Sequence, residues 1–235
     1  MMYQALAKYY DALVKDEEAT KAWVDLIHQH VKQGKIMEVA CGSGEITIAL
    51  AKMGYQVFAS DLSKDMVEMA KQKEDSHLVS WNVMDMRTFE DSNVYDGILC
   101  LCDSFNYLLK DEEVISFFKQ AYEHLVDNGT FIVDMHSMDR LIEFEEEYHE
   151  AGKVLQREYQ WTIQTVDDCI YQNFMFYDED GRNVLEQHVQ RVYEPSWIQA
   201  QLENIGFEVN IVTDFIYEGI CEGEKQFYIC KKVKQ

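Results

Sequence analysis

Proline is almost missing from this chain: Pro195 stands alone in 235 residues, and no Ser/Gly-rich linker or internal repeat accompanies it. Nothing in the composition therefore splits the chain into independently linked units. Basic residues are also scarce. Twenty-one Lys plus Arg face 43 Asp plus Glu, a formal net charge of −22, and a field of that sign repels phosphate backbones and anionic headgroups. Nucleic acid is not an expected partner. The basic residues are scattered, with Lys231-Lys232 the longest cluster, and the acidic run over 143–147 reads as a solvated helix face. No apolar run approaches bilayer length, so no membrane association is expected. The six cysteines at 41, 100, 102, 169, 221 and 230 include no C-x-x-C pair, and no secretory apolar segment precedes the first helical pattern. They read as reduced thiols of a cytoplasmic protein. The seven histidines contain no H-E-x-x-H arrangement, and His28 and His30, two apart on a helical pattern, point to different faces. No metal site is expected.

What is present is periodicity. Residues 3–14, with Leu6, Tyr9, Tyr10 and Leu13 on one stripe, and 17–32 show helical spacing up to Gln33-Gly34. Residues 36–40 read as a buried strand, Gly42 and Gly44 follow, and Ile46, Ala49, Leu50 and Met53 repeat at helical spacing until Gly54. The alternation continues with a strand at 56–60, a helix capped by Ser63 and running to about Lys73, and strands at 77–82 and 95–102. A helix over 111–125 and a strand over 130–135 complete it. Strands alternating with helices specify a doubly wound parallel sheet. After residue 150 the period becomes two: Leu155, Tyr159, Trp161 and Ile163 alternate with polar residues, as do Ile170, Phe174 and Phe176, and Asp180-Gly181 signals a hairpin before 184–193. That is an antiparallel insertion. Ser196 and Gln199 carry capping-box spacing for a helix ending at Gly206, and strands at 207–215 and 225–232 close the sheet. The expected organisation is α/β: N-terminal helices and a Rossmann-like core over 1–150, an antiparallel β insertion over 151–195, and the rest of the core over 196–235.

Glu38-Val39-Ala40-Cys41-Gly42-Ser43-Gly44 is the strongest signal, because glycines between a strand and a helix let a ligand approach the backbone. A dinucleotide fingerprint needs a third small residue three places after Gly44, where Thr47 stands, and a pyrophosphate is disfavoured by Glu38 and Glu45. A phosphate-free adenosine ligand with cationic groups suits the acidic turn. Asp61 ends the second strand, seventeen residues beyond Gly44, near the distance at which this architecture places its ribose acceptor. The competing role is a helix-dipole partner. Asp85-Met86 follows the third strand, where a carboxylate can accept from an exocyclic adenine amine or simply shape a turn.

The succession of these motifs, followed by Tyr95-Asp96-Gly97-Ile98-Leu99-Cys100-Leu101-Cys102-Asp103-Ser104-Phe105-Asn106-Tyr107, resembles the class I S-adenosylmethionine-dependent methyltransferases. Within them it is similar to the bacterial small-molecule branch of glycine and sugar-amine N-methyltransferases. The likeness covers essentially the whole chain. It implies a Rossmann-like seven-stranded sheet with its last strand antiparallel, and S-adenosylmethionine as cofactor. Glu38 would hold the methionine ammonium through the turn Ala40, Cys41, Gly42 and Gly44, Asp61 with Leu62 the ribose, Asp85 with Met86 the adenine, and Leu101 would line the same site. Tyr10 resembles the N-terminal tyrosine that closes over the cofactor, though a core aromatic has the same spacing.

The fourth strand ends at the carboxyl rim, where ligands bind, and its sequence is not the Asp-Pro-Pro-Tyr type of nucleic-acid amino-methylating enzymes. Asp103 and Asn106 there can orient an acceptor or cap the loop. His136, after the fifth strand, stands where a general base would, with an ordinary pKa near 6.5. Arg191 and Tyr193 offer polar groups from the insertion to an acceptor, with the insertion as acceptor lid; the alternative is a dimer contact, which leaves a homodimer open. The expected activity is methylation of a small molecule, at nitrogen in preference to oxygen. Two rivals stay open: a binding sensor or scaffold without turnover, and an RNA or protein methyltransferase working with a partner subunit.

Overall fold

The computed structural model describes residues 7–14, 16–89, 92–177 and 183–233. Short buried runs make the parallel strands β1 (Lys35–Val39), β2 (Gln56–Asp61), β3 (Val79–Val83), β4 (Tyr95–Cys100) and β5 (Leu125–His136), which lie in the order β5-β4-β1-β2-β3. Helices α1 (Ala7–Val14) and α2 (Glu17–His30) precede them, and α3 (Glu45–Lys52), α4 (Lys64–Gln72) and α5 (Asp111–Glu123) connect them. Val24 and Ile27 of α2 and Ile48 and Leu50 of α3 fill one core, while Phe117 and Phe118 of α5 fill another with Phe105 and Phe131. Helices on both faces are what a parallel sheet requires to bury its apolar strands. Ser63 caps α4 as its sequence position predicts, its hydroxyl accepting from the Met66 N–H at 3.3 Å. The chain runs from β1 outward to β3 and then returns to place β4 on the other side of β1. Such a reversal opens a crevice at the carboxyl ends of those two strands.

From β5 the chain passes through α6 (Asp139–Glu143) into a second, antiparallel sheet of β6 (Tyr148–Val154), β7 (Arg157–Val166), β8 (Cys169–Tyr177) and β9 (Asn183–Arg191). The insertion begins earlier than expected. Leu155, expected in a strand, sits with Gln156 at positive φ (46° and 67°) in the turn between β6 and β7 and is 68% exposed. The expected Asp180-Gly181 turn lies outside the described residues, although Tyr177 and Asn183 on either side of it pair across the β8–β9 ladder. Helix α7 (Pro195–Ile205) then returns to the main sheet. Its cap differs from the expected box: Pro195 occupies the first turn, Glu194 is the N-cap, and no side chain bonds to the helix start. A proline there leaves one fewer N–H to cap.

Strands β10 (Phe207–Thr213), β11 (Tyr217–Glu218) and β12 (Lys225–Lys232) complete the main sheet, with β12 antiparallel between β5 and β10. Among the described residues the sheet has eight strands instead of seven. The strand expected over 207–215 stops at Thr213, because Asp214 and Phe215 turn left-handed (φ 47° and 68°) and the chain doubles back to pair Tyr217 with Thr213. No helix among the described residues is long and apolar enough to cross a membrane.

Candidate functional site

The crevice at β1 and β4 opens into a cavity of about 1040 Å³. Its floor is the turn after β1. Gly42 and Gly44 have φ of 55° and 79°, the left-handed region that favours glycine. At Gly44 a Cβ would lie 2.5 Å from the Trp81 ring, whereas at Gly42 it would meet nothing within 4 Å, so bare backbone faces the cavity there. Ala40, also on the cavity wall, holds φ 52° without being glycine, and strain of that kind concentrates at ligand sites.

Two buried carboxylates face this space. Asp61 accepts the Gly42 N–H at 2.8 Å and the Ser63 N–H at 2.7 Å, which fixes its position. Burial pushes its pKa up against those hydrogen bonds. Glu38, 3% exposed on β1, accepts from the Thr47 hydroxyl at 2.6 Å. Burial pushes its carboxyl up to about 7, with the Thr47 bond opposing and the Asp61 charge adding. A site that must ionise a buried carboxylate is completed by a cation. An adenosine ligand with an ammonium and a sulfonium fits these acceptors and this bare turn. A pyrophosphate does not.

Leu62, Leu101 and Cys41 line the cavity, Leu62 52% exposed and Leu101 and Cys41 buried. Asp85 and Met86 line it too. The Asp85 carboxylate is clamped by Arg87, whose Nε lies 3.0 Å from both oxygens and whose Nη2 donates at 2.6 Å, and these bonds hold Asp85 below its ordinary pKa. Its first partner is thus a neighbour in the chain. The sequence reading missed the wall that α2 provides, Asp16, Thr20 and Trp23. A helical stripe alone does not separate a residue facing a cavity from one facing a core.

At the end of β4 the backbone turns left-handed at two consecutive non-glycine residues, Cys102 (φ 56°) and Asp103 (φ 57°). Asp134, fully buried on β5, holds this strained turn: its carboxylate accepts the Asp103 N–H and the Trp23 indole N–H, each at 2.8 Å. Lys225, the first residue of β12, pairs with the Asp103 carboxylate and lies 3.9 Å from Asp134. Burial alone would lower the Lys225 pKa, but the two aspartates raise it above the ordinary value, so the ammonium stays charged. Burial pushes the Asp134 carboxyl up to about 6. Asp103 resists the same effect: burial raises it, and the charge of His136 when that ring is protonated, together with the ammonium of Lys225, outweighs burial and holds it low. Lys225 was not anticipated, although a lone lysine opening a strand antiparallel to its neighbours necessarily stands at the carboxyl rim.

A second cavity of about 330 Å³ lies between this rim and the insertion. Cys102, Asp103 and Tyr107 line both cavities. His136 lies on the second, its Nδ1 3.5 Å from Asp103 and its Nε2 3.3 Å from the Gln190 amide oxygen. Burial lowers the His136 pKa and the Asp103 charge only partly offsets this, so the imidazole is neutral near pH 7. The insertion supplies the opposite wall. Trp161 and Phe174 stack there at 5.0 Å, Glu150 accepts from the Tyr159 hydroxyl at 2.5 Å, and the buried Trp161 indole N–H has no partner among the described residues.

The structure thus gathers Asp103 and His136 but not the other acceptor-side residues read from sequence. Asn106 is fully buried and works as a staple, donating to the Arg191 carbonyl at 2.7 Å and accepting the His136 N–H at 3.1 Å. Arg191 lines neither cavity; its guanidinium donates to Asp111 at 2.7 Å and Asp168 at 2.8 Å. Tyr193 is buried, with its hydroxyl on the Leu108 carbonyl. Both residues fasten the insertion to the loop before α5. Tyr10 lies on α1, but its side chain is outside the described residues.

Residues 36–129 match the family described as a methyltransferase domain. The chain is similar to YqeM of Bacillus subtilis, a protein named as a methyltransferase, with 30% identity covering 100% of this chain and 98% of that one. Among solved structures, an S-adenosylmethionine-dependent methyltransferase from Clostridium acetobutylicum superposes with a TM-score of 0.85 at 24% identity, over 99% of each chain. The sugar N-methyltransferase KedS8 from a Streptoalloteichus species superposes with a TM-score of 0.81 at 18% identity, over 100% of this chain and 95% of that one. At those identities the two structures speak for the fold.

Proposed function

The chain belongs to the methyltransferase family, and on that premise we propose that it moves the methyl group of S-adenosylmethionine onto the nitrogen of a small amine held in the second cavity. The observation that carries this reading is the meeting of the two cavities at Cys102, Asp103 and Tyr107. When bound in the larger one, the cofactor supplies an electrophilic methyl carbon on a sulfonium. Glu38 would hold its ammonium, Asp61 its ribose hydroxyls, and Asp85, held in place by Arg87, its adenine.

On the acceptor side, an amine that is an ammonium near neutral pH must give up that proton before its nitrogen has a lone pair to react. Neutral His136, oriented by Gln190 and Asp103, is the group within the second cavity suited to take it, and Asp103 stabilises the imidazolium that results. Glu150 and the stacked Trp161 and Phe174 favour a cationic acceptor over an anionic one. The cavity volume limits it to a small metabolite. Enclosure between rim and insertion supplies orientation, which accounts for much of the rate in a displacement of this kind. Incubating the protein with S-adenosylmethionine and a panel of amines, amino acids and amino sugars, each beside its alcohol counterpart, tests the reading by mass spectrometry. The expected products are a methylated amine and S-adenosylhomocysteine in equal amounts. Cofactor binding without turnover on any amine would contradict it and favour a sensor.

A further inference from the structure

Strand β9 carries Glu186, His188 and Gln190 at alternate positions, so all three side chains share one face of the insertion. Over these three residues that face is buried: they are 7%, 2% and 4% exposed, while Leu185 on the opposite face is 59% exposed. Burying a polar face and exposing apolar residues costs free energy that an apolar core would avoid. Gln190 spends its amide on the active-site rim, accepting toward His136 and donating to the Asp103 carbonyl at 3.0 Å. The other two form a line that ends on Tyr107. The Tyr107 hydroxyl lies 3.0 Å from His188 Nδ1, and His188 Nε2 lies 3.2 Å from the Glu186 carboxylate.

The polarity of that line is set from its buried end. The Glu186 carboxylate lies near Nε2 without forming a hydrogen bond to it, and its negative charge favours the neutral tautomer with the proton on Nε2, in which Nδ1 accepts and the phenol donates. A phenol whose proton is committed in this way presents its oxygen as an acceptor. Tyr107 closes the short turn Ser104–Tyr107 after β4 and lines both cavities, at the place where methyl donor and acceptor must meet. We propose that Tyr107 accepts a hydrogen bond from the acceptor amine and so aims the nitrogen lone pair at the methyl carbon, with His188 and Glu186 as positioning residues that fix the direction of its hydroxyl. This rests on the amine reading above. It divides the work on the acceptor: His136 takes the proton, and Tyr107 sets the angle.

The test compares Tyr107→Phe, His188→Ala, His188→Asn and the Tyr107→Phe/His188→Ala pair with the unaltered protein. Kinetics use the best amine from the panel, S-adenosylhomocysteine affinity is read by calorimetry, and the His188 tautomer by ¹⁵N NMR. Tyr107→Phe and His188→Ala should each lower kcat by about tenfold or more, as loss of an orienting hydrogen bond does. Cofactor-product affinity should stay within about twofold, since another set of residues holds that ligand. The double variant should be no slower than the worse single one, because the residues act as a unit. His188→Asn should recover part of the rate by placing an acceptor oxygen near the position of Nδ1. His188 should carry its proton on Nε2. Unchanged turnover in Tyr107→Phe, an Nδ1–H tautomer, or a parallel fall in product affinity and rate would overturn the assignment while leaving amine methylation intact. An unaltered protein that methylates no amine would overturn both.

Discussion

Glu38 illustrates what a single residue contributes when it is read with its surroundings. Its carboxyl, raised to about 7 by burial, is largely protonated just below neutrality, and a cationic ligand beside it would pull the pKa down. Binding of S-adenosylmethionine at pH 6–7 should therefore release protons. Affinity should rise with pH until Glu38 ionises unaided. Calorimetry in buffers of different ionisation enthalpy measures the released proton, and pH-independent binding without release would exclude Glu38 as the ammonium partner. Asp61→Ala removes a carboxylate with two backbone partners and should weaken cofactor binding by about 1.5–3 kcal/mol; an unchanged dissociation constant would remove the ribose assignment. His136 has a lowered pKa, so its base form persists below its ordinary value and is lost only as pH falls further. At saturating cofactor, kcat should decline only on the acid side of the ordinary histidine range, and His136→Asn should abolish that limb along with most of the rate. Glu38, Asp61 and His136 could be placed beside the cavities from sequence because each stands at or next to the carboxyl end of a strand, where this architecture binds ligands. Lys225 and Asp134 could not be, since their importance comes from pairing with Asp103 across strands far apart in sequence.

Among the elements, the parallel strands and their helices were the most readable, because buried runs punctuated by Gly34, Gly54 and Gly206 leave few alternatives. The insertion was readable as antiparallel β but not in its use. Its aromatic rows pack as a core, with Tyr159, Phe174 and Phe176 in one buried cluster and Trp161 against it, and Tyr159, Trp161 and Phe174 also border the second cavity. Arg191 and Tyr193 suggested ligand contacts, yet they bind the loop before α5. Alternation reveals two faces of a strand and not which one is buried; on β9 it is the polar one. Two substitutions separate these roles. Trp161→Ala should raise the acceptor KM by roughly tenfold, through loss of an aromatic face worth about 1–2 kcal/mol to a cation, with cofactor affinity unchanged. Arg191→Ala breaks partly exposed ion pairs, so after solvent screening it should cost about 1 kcal/mol or less, seen as faster hydrogen exchange in β9. A larger effect of Arg191→Ala than of Trp161→Ala on acceptor KM would return the acceptor site to the outer edge of the insertion.

At the scale of the whole molecule, the net charge of −22 and the small volume of the second cavity both support the small-molecule acceptor proposed above. Duplex DNA and bulk tRNA should show no appreciable affinity at physiological salt, because few phosphate counterions can be released on contact. A filter-binding series across salt concentrations checks this, and tight binding with a steep salt slope would contradict a free small-molecule acceptor. On the proposed reading the main sheet would hold the methyl donor and the second sheet would border the acceptor, which puts the reaction at the junction lined by Asp103 and Tyr107. The most direct test follows the methyl group itself. S-adenosylmethionine labelled with ¹³C at the transferred methyl is turned over with a small acceptor bearing both an amine and a hydroxyl, and the product is examined by NMR. The label should appear as an N-methyl carbon, in step with S-adenosylhomocysteine formation. An O-methyl signal, or a donor left unconsumed beside acceptors that fill the cavity, would contradict the account.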